Sequence, residues 1–344
     1  MKTEINRLLE CVPNISEGRD MGVIDALTDA IQKVPGVYLL HRDIGYDANR
    51  TVFTFAGNAD AVGEAAFSLI KIASEKIDMR RHHGIHPRIG AADVVPFVPL
   101  AGADMQDAIN MAHYVSTRVA YKLGIPVYAY EQAAFIPERK KLEYCRSGQY
   151  EGLAQKLQQA IWKPDFGSAV FNATSGLSII GAREFLIAYN VTLNTGSVEH
   201  AKLIAAAIRE SGPALMLQKF EQSGLQVKRL TAVKAIGWFV PEYKKAQVSM
   251  NLTNIHETSM HQAFEVVKDL AAQLGISVSG SEVIGLVPYM AIEKAGQYYA
   301  PICKKPVNTD EDKIQLAIES LGLNDVQPFV ATEKIIELRM KSNV

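Results

Sequence analysis

Apolar positions along the chain follow two spacings. At 20–32 they recur three and four apart, with Ile24, Leu27, Ile31 and Val34 on one stripe, which predicts a helix ended by Pro35-Gly36. Positions 60–77, with Asp60 as cap, and 105–123, closed by Gly124, predict two more. Short apolar or β-branched runs at 8–12, 37–40, 51–56 and 125–130 predict strands, the middle pair joined by a polar turn at 44–50. Segment 131–165 is polar and partly helical. Segment 167–181 is rich in Gly, Ser, Thr and Ala, has no period, and reads as a long ordered loop able to mould itself to a ligand. A second series follows, with strands at 185–193, 233–239, 247–252 and 276–278 and helices at 198–210, 260–274, 287–298 and 310–320. Two such series in 344 residues suit two α/β domains with a short packed join near 181–186.

Charge excludes some partners. With 36 basic and 37 acidic residues, no global field favours nucleic acid or an anionic membrane. Cys11, Cys145 and Cys303 are odd in number and far apart, which fits neither a disulfide framework nor a zinc site and suits a reducing compartment. The first residues lack the apolar stretch of a signal peptide, and no run nears the ~18 apolar residues of a membrane span. The expectation is a cytoplasmic protein.

Candidate chemistry is densest at 78–93, which holds three of the eight histidines, three arginines and two aspartates. Gly84 and Pro87 forbid a regular helix there, so His82 and His86 do not share a helical face, which weakens a zinc reading. Acid–base catalysis and a solvated basic loop both remain open. In the turn bearing Asp43, Asp47, Asn49 and Arg50, the acidic and amide residues suit turn chemistry, whereas the fork of Arg50 suits a carboxylate. Segment 11–19, CVPNISEGR, is either a strand-end site or the approach to a helix capped by Ser16 or Asp20, with Cys11 as a small buried residue. The glycines of 167–181 match no nucleotide-binding pattern.

The segments ECVPNISEGRD, ANRTVFTF, IDMRRHHGIHPRIGAADVVPFVPL, KPDFG, GAREFLIAYNVTLNT, AIGWF, QVSMNLTN and GSEVIGLVP resemble, in order and from about Leu9 to Leu338, the glutamate formiminotransferase family. The resemblance implies an α/β (α+β) chain of two sequential subdomains, 1–185 and 186–340, each a mixed β-sheet with helices packed on it, and a folate cleft between them. It implies transfer of the formimino group from N-formimino-L-glutamate to the 5-nitrogen of tetrahydrofolate, in histidine degradation. Tetrahydrofolate is then a co-substrate, no metal is needed, the protein is a homodimer, and a separate cyclodeaminase acts downstream.

On this resemblance His86 is the catalytic proton relay. The reaction also calls for a carboxylate to steady the cationic formimino group, for which Asp43 is the first choice, and for partners of the glutamate carboxylates, for which Arg50 and Arg88 are candidates with Asn14 as a neutral helper. Folate lies on Gly167, Ser168, Ala169, Val170, Phe171, Asn172, Ala173, Thr174, Ser175 and Gly176. Two positions depart from the family: Ile85 stands where it has Glu, altering the loop's charge, and Ser175 where it has Trp, removing an aromatic surface beside the pterin. The insert at 213–228 has no counterpart. Rival readings are a glutamate formyltransferase, a folate-binding protein without catalysis, and a metal-dependent hydrolase built on His82, His83 and His86.

Overall fold

Asp20 begins the first helix because its Oδ1 accepts the backbone N–H groups of Gly22 and Val23 at 2.8 and 3.2 Å. Such local decisions build two compact units, 1–183 and 184–344, in a computed structural model that describes residues 7–46, 48–84, 86–211 and 228–342.

Among its described residues the first unit holds seven strands: β1 (Leu8–Cys11), β2 (Asn14–Ile15), β3 (Val37–Gly45), β4 (Arg50–Asn58), β5 (Ala92–Pro99), β6 (Val127–Glu131) and β7 (Ser178–Ala182). β1 and β2 both lie between β4 and β5; β3 flanks β4, and β7 then β6 complete the other side. β5, β7 and β6 run parallel and the remaining pairs antiparallel, so this sheet is mixed. Helices α1 (Met21–Gln32), α2 (Ala59–Lys76) and α3 (Met105–Leu123) cover one face. There Leu9, Ile15, Phe53, Phe55 and Phe97 meet Ile24, Leu27, Leu69 and Val115, all fully buried. Each such side chain contributes roughly 1.5–3 kcal/mol.

Over part of the opposite face lie α4 (Leu142–Arg146) and α5 (Gln149–Lys156), whose Cys145 and Leu153 pack with Tyr128, Tyr130 and Ile179. Pairing register places Asn14, Val52 and Asp43 in one row across β2, β4 and β3 on that face, with Arg50 two residues along β4.

Three expectations are corrected in this unit. The cap of α2 is Asn58, whose Oδ1 accepts from the Asp60 N–H at 3.2 Å; Asp60 lies in the first turn. The strands around the turn run longer than their apolar cores, to Gly45 and from Arg50, because backbone pairing continues past the last buried side chain. The loop expected through 181 ends earlier, and 178–182 form β7, buried at every residue between β5 and β6. A strand covered on both faces shows no alternation to read.

The second unit holds β8 (Ile187–Leu193), β9 (Val233–Val240), β10 (Lys245–Leu252) and β11 (Val278–Ile284) in the order β11-β8-β10-β9. Among the described residues its helices are α6 (Val198–Ile208), α7 (Met260–Gln273), α8 (Tyr289–Cys303), α9 (Asp310–Leu321), α10 (Ala331–Lys334) and α11 (Ile336–Ser342). Every neighbouring pair is antiparallel, so the expected mixed sheet is corrected here. The short turn between β9 and β10 enforces one of those pairs, since parallel strands need a long crossover. β11 was expected at 276–278; Gly280 and its flanking serines hide its period. α10 and α11 were not anticipated.

The insert at 213–228, apart from Lys228, lies outside the described residues, as do Asp47 and Ile85. Among the described residues no helix is long and apolar enough to cross a membrane.

Candidate active site

Three of the sequence motifs meet at the β3–β4 turn. Asn49 is buried there in the left-handed region (φ 47°), which Asn tolerates better than most residues. Its Oδ1 accepts from the Gly18 N–H at 3.0 Å and its Nδ2 donates to the His83 carbonyl at 3.1 Å. Thr51 Oγ1 donates to the Glu17 carbonyl at 2.6 Å. The backbones approach so closely that a Cβ on Gly18 would collide with the Gly45 carbonyl, and one on Gly84 with the Ala48 carbonyl. The chain at Glu17-Gly18, at Asn49–Thr51 and at His83-Gly84 is thereby held together.

His82 and His86 differ although they share this loop. His82 is buried; its Nε2 donates to the Asn49 carbonyl at 2.8 Å and its Nδ1 accepts from Arg88 Nε at 3.1 Å. Burial, with the Arg88 charge, lowers its pKa, and both nitrogens are occupied. His86 is half-exposed. Its Nδ1 lies 2.7 Å from the Pro87 carbonyl, which can only accept, so that nitrogen carries the proton. Its Nε2 lone pair then faces Arg50 Nη1 at 2.5 Å. Burial first, then the Arg50 charge, holds the imidazole below its usual range and keeps it neutral near pH 7.

Around His86 stand Arg50 on β4, Arg146 on α4 and Asp93 on β5. Asp93 is buried, accepts from the Ile89 N–H at 2.9 Å through Oδ1, and pairs with Arg146 Nη2 at 2.5 Å through Oδ2. Burial and the Arg146 guanidinium lower the Arg50 pKa, opposed by Asp93 and Asp43. Asp43 itself is exposed on β3. Asn14, buried in the row with Asp43, donates through Nδ2 to the Val12 carbonyl at 3.0 Å.

Arg88 lies elsewhere in the same region and is already engaged. It is buried, forks onto Glu151 at 2.9 and 2.7 Å, and donates to the His82 ring and carbonyl at 3.1 Å each. These bonds dock α5 onto the histidine loop.

Segment 167–176 is tied to that loop at its far end. The N–H groups of Met79 and Ala91 donate to the Thr174 and Ser175 carbonyls at 2.9 Å each, and Tyr150 Oη donates to the Ala173 carbonyl. Asn172 Oδ1 accepts from Thr174 Oγ1 and the Ser175 N–H, both at 3.0 Å. Ser168, Ala169 and Val170 are exposed. Ser175 is buried. Both nitrogens of His82 being bonded to protein leaves the hydrolase reading without its first ligand.

Sequence reasoning missed Arg146, which sits in a segment with no motif, and the bridging role of Asn49, which looked like turn chemistry. A neutral imidazole beside two guanidiniums, with exposed loop backbone tied to the same scaffold, is a geometry suited to acid–base work on an anionic substrate. Two family models agree. The formiminotransferase domain, N-terminal subdomain, matches residues 8–183, and the formiminotransferase domain matches 188–341. The chain belongs to the formiminotransferase family.

It is 40% identical over 296 residues to the glutamate formimidoyltransferase of Streptococcus pyogenes serotype M1, covering 86% of this chain and 94% of that one. The glutamate formimidoyltransferase of Thermoplasma acidophilum is 43% identical over 294 residues, covering 85% and 92%. A formimidoyltransferase-cyclodeaminase of Dictyostelium discoideum is 43% identical over 340 residues. That alignment covers 99% of this chain but only 62% of the relative, so the chain spans about three fifths of the two-function relatives it matches.

Proposed function

We propose that this protein transfers the formimino group of N-formimino-L-glutamate to the 5-nitrogen of tetrahydrofolate, giving 5-formiminotetrahydrofolate and L-glutamate in histidine degradation. The observation that carries the reading is the Nδ1-protonated, neutral His86 beside Arg50, in a chain similar along most of its length to two glutamate formimidoyltransferases.

The amine N5 attacks the amidine carbon, forming the new N–C bond. His86 Nε2 takes the N5 proton, then returns it to the glutamate nitrogen as the old C–N bond breaks. One imidazole serves both steps, and such transfer supplies about 10²–10⁴ in rate. Asp43, exposed on the same sheet face as Arg50, steadies the protonated formimino group. Arg50 takes a glutamate carboxylate, with Asn14 as a neutral helper. Segment 167–176 receives folate, and its ties to the histidine loop align the co-substrates. No step calls for a metal. The protein acts in the cytoplasm as a homodimer.

The test offers pure protein tetrahydrofolate with either N-formimino-L-glutamate or N-formyl-L-glutamate and follows glutamate release. Release from the formimino donor is expected. Release from the formyl donor alone would make it a formyltransferase, and folate binding without release from either would make it a binding protein.

A further inference from the structure

Arg50 and Arg146 are drawn toward one place by different elements, and each is incompletely satisfied there. Arg50 Nε and Arg146 Nε are both buried with no hydrogen-bond partner. Among the described residues Arg50 makes no ion pair with a carboxylate, and Arg146 pairs only with the buried Asp93. Two partly buried guanidiniums within reach of each other's field, sharing one close carboxylate, carry an excess of one positive charge. A buried donor left unmet is costly, so a carboxylate entering here relieves two such groups and the repulsion between the cations at once.

Arg50 also occupies the lone pair that a general base must present. Its Nη1 sits 2.5 Å from His86 Nε2, while the other ring nitrogen is committed to the Pro87 carbonyl. In the free protein the base is therefore covered. The guanidinium fork matches a carboxylate better than a single imidazole nitrogen.

We propose that Arg50 and Arg146 together form the binding site for a carboxylate of the formimino donor, and that filling it draws Arg50 off His86 and uncovers the Nε2 lone pair. This rests on the reading of His86 as the proton relay. The donor then switches on its own base, and no proton acceptor stands exposed before the substrate arrives. Departure of a cation and arrival of an anion both favour imidazolium, so the His86 pKa rises on binding. The charged groups facing it are Arg50 from β4, Arg146 from α4 and Asp93 from β5; Asp43 from β3 acts through Arg50.

L-glutamate, which carries the carboxylates and cannot react, is the probe. The His86 ring is titrated by NMR with and without saturating L-glutamate, its signals assigned by comparison with His86→Ala. An upward shift in the wild type is expected, and an unmoved titration overturns the proposal. This arm needs no turnover, so it judges the site even where the paired donor assay fails. Asp93→Asn/Arg146→Met, which removes both members of the ion pair so that neither is left without its partner, is expected to abolish the shift. It should also raise KM for the formimino donor about tenfold to a hundredfold, with KM for tetrahydrofolate changed less than about twofold. Arg146→Lys keeps a cation beside Asp93 and should recover part of the loss. An unchanged donor KM in the double variant, or a lysine variant as poor as Arg146→Met alone, overturns the proposal.

Discussion

The face of the first sheet that turns away from α1–α3 and the face of the second sheet that turns away from α6 both carry polar side chains, and the two are satisfied differently. In the second unit, Glu282 Oε1 accepts from Asn190 Nδ2 at 3.2 Å and Gln247 Nε2 at 2.8 Å. Gln247 also donates to Thr192 Oγ1 at 2.9 Å and accepts from Trp238 Nε1 at 3.2 Å, and Tyr243 Oη donates to Glu282 Oε2 at 3.4 Å. Every member answers another. In the first unit, Arg50 and Arg146 keep unmet Nε donors and His86 has its basic nitrogen pressed against a cation. A closed network specifies a structure, whereas an open one holds interaction in reserve for a ligand.

The largest expected effect comes from the open side. His86→Ala should lower kcat by about 10²–10⁴ with folate affinity unchanged, measured by steady-state kinetics alongside folate titration. Normal turnover would remove His86 from the chemistry.

Next comes the scaffold beneath it. Gly84→Ala forces a Cβ into the Ala48 carbonyl, a strain worth about 1–3 kcal/mol of stability. It should also lower turnover, because the loop carrying His86 must shift; thermal unfolding and kcat are the readouts. Unaltered values for both would show the three segments to be less firmly held than their bonds imply.

The smallest effect belongs to the closed network. Glu282→Gln keeps one acceptor oxygen and an amide that can donate to Tyr243, so stability should fall by about 1 kcal/mol with turnover unaltered. A fall in turnover approaching that of His86→Ala would mean that the second face takes part in the chemistry, and the contrast drawn above would break.

Periodicity exposed most elements whose helices or strands bury one side, such as α1, α3 and β10. It lost β7, covered on both faces, and misplaced β11, whose Gly280 and serines read as a turn. The site divides in the same way. His86 and Arg50 stand in motifs that a resemblance can place. Arg88 stands in one too, yet nothing in its spelling says that Glu151, 63 residues away, has claimed it. Arg146 is one cation in the polar stretch 131–165, and only the fold brings it near Asp93, 53 residues back. Partnership across such separations is not written in any local pattern.

The bonds of Asn49 have a consequence for the order in which the chain organises itself. They join positions 31 and 34 residues away, and the ties between 79–91 and 174–175 span still longer stretches. Closing such loops is slow relative to forming a helix. The histidine loop therefore takes its final shape only after strands from both ends of the first unit have paired. During refolding, helical signal should return well ahead of activity, and catalytic competence then serves as a clock for the last contacts to close.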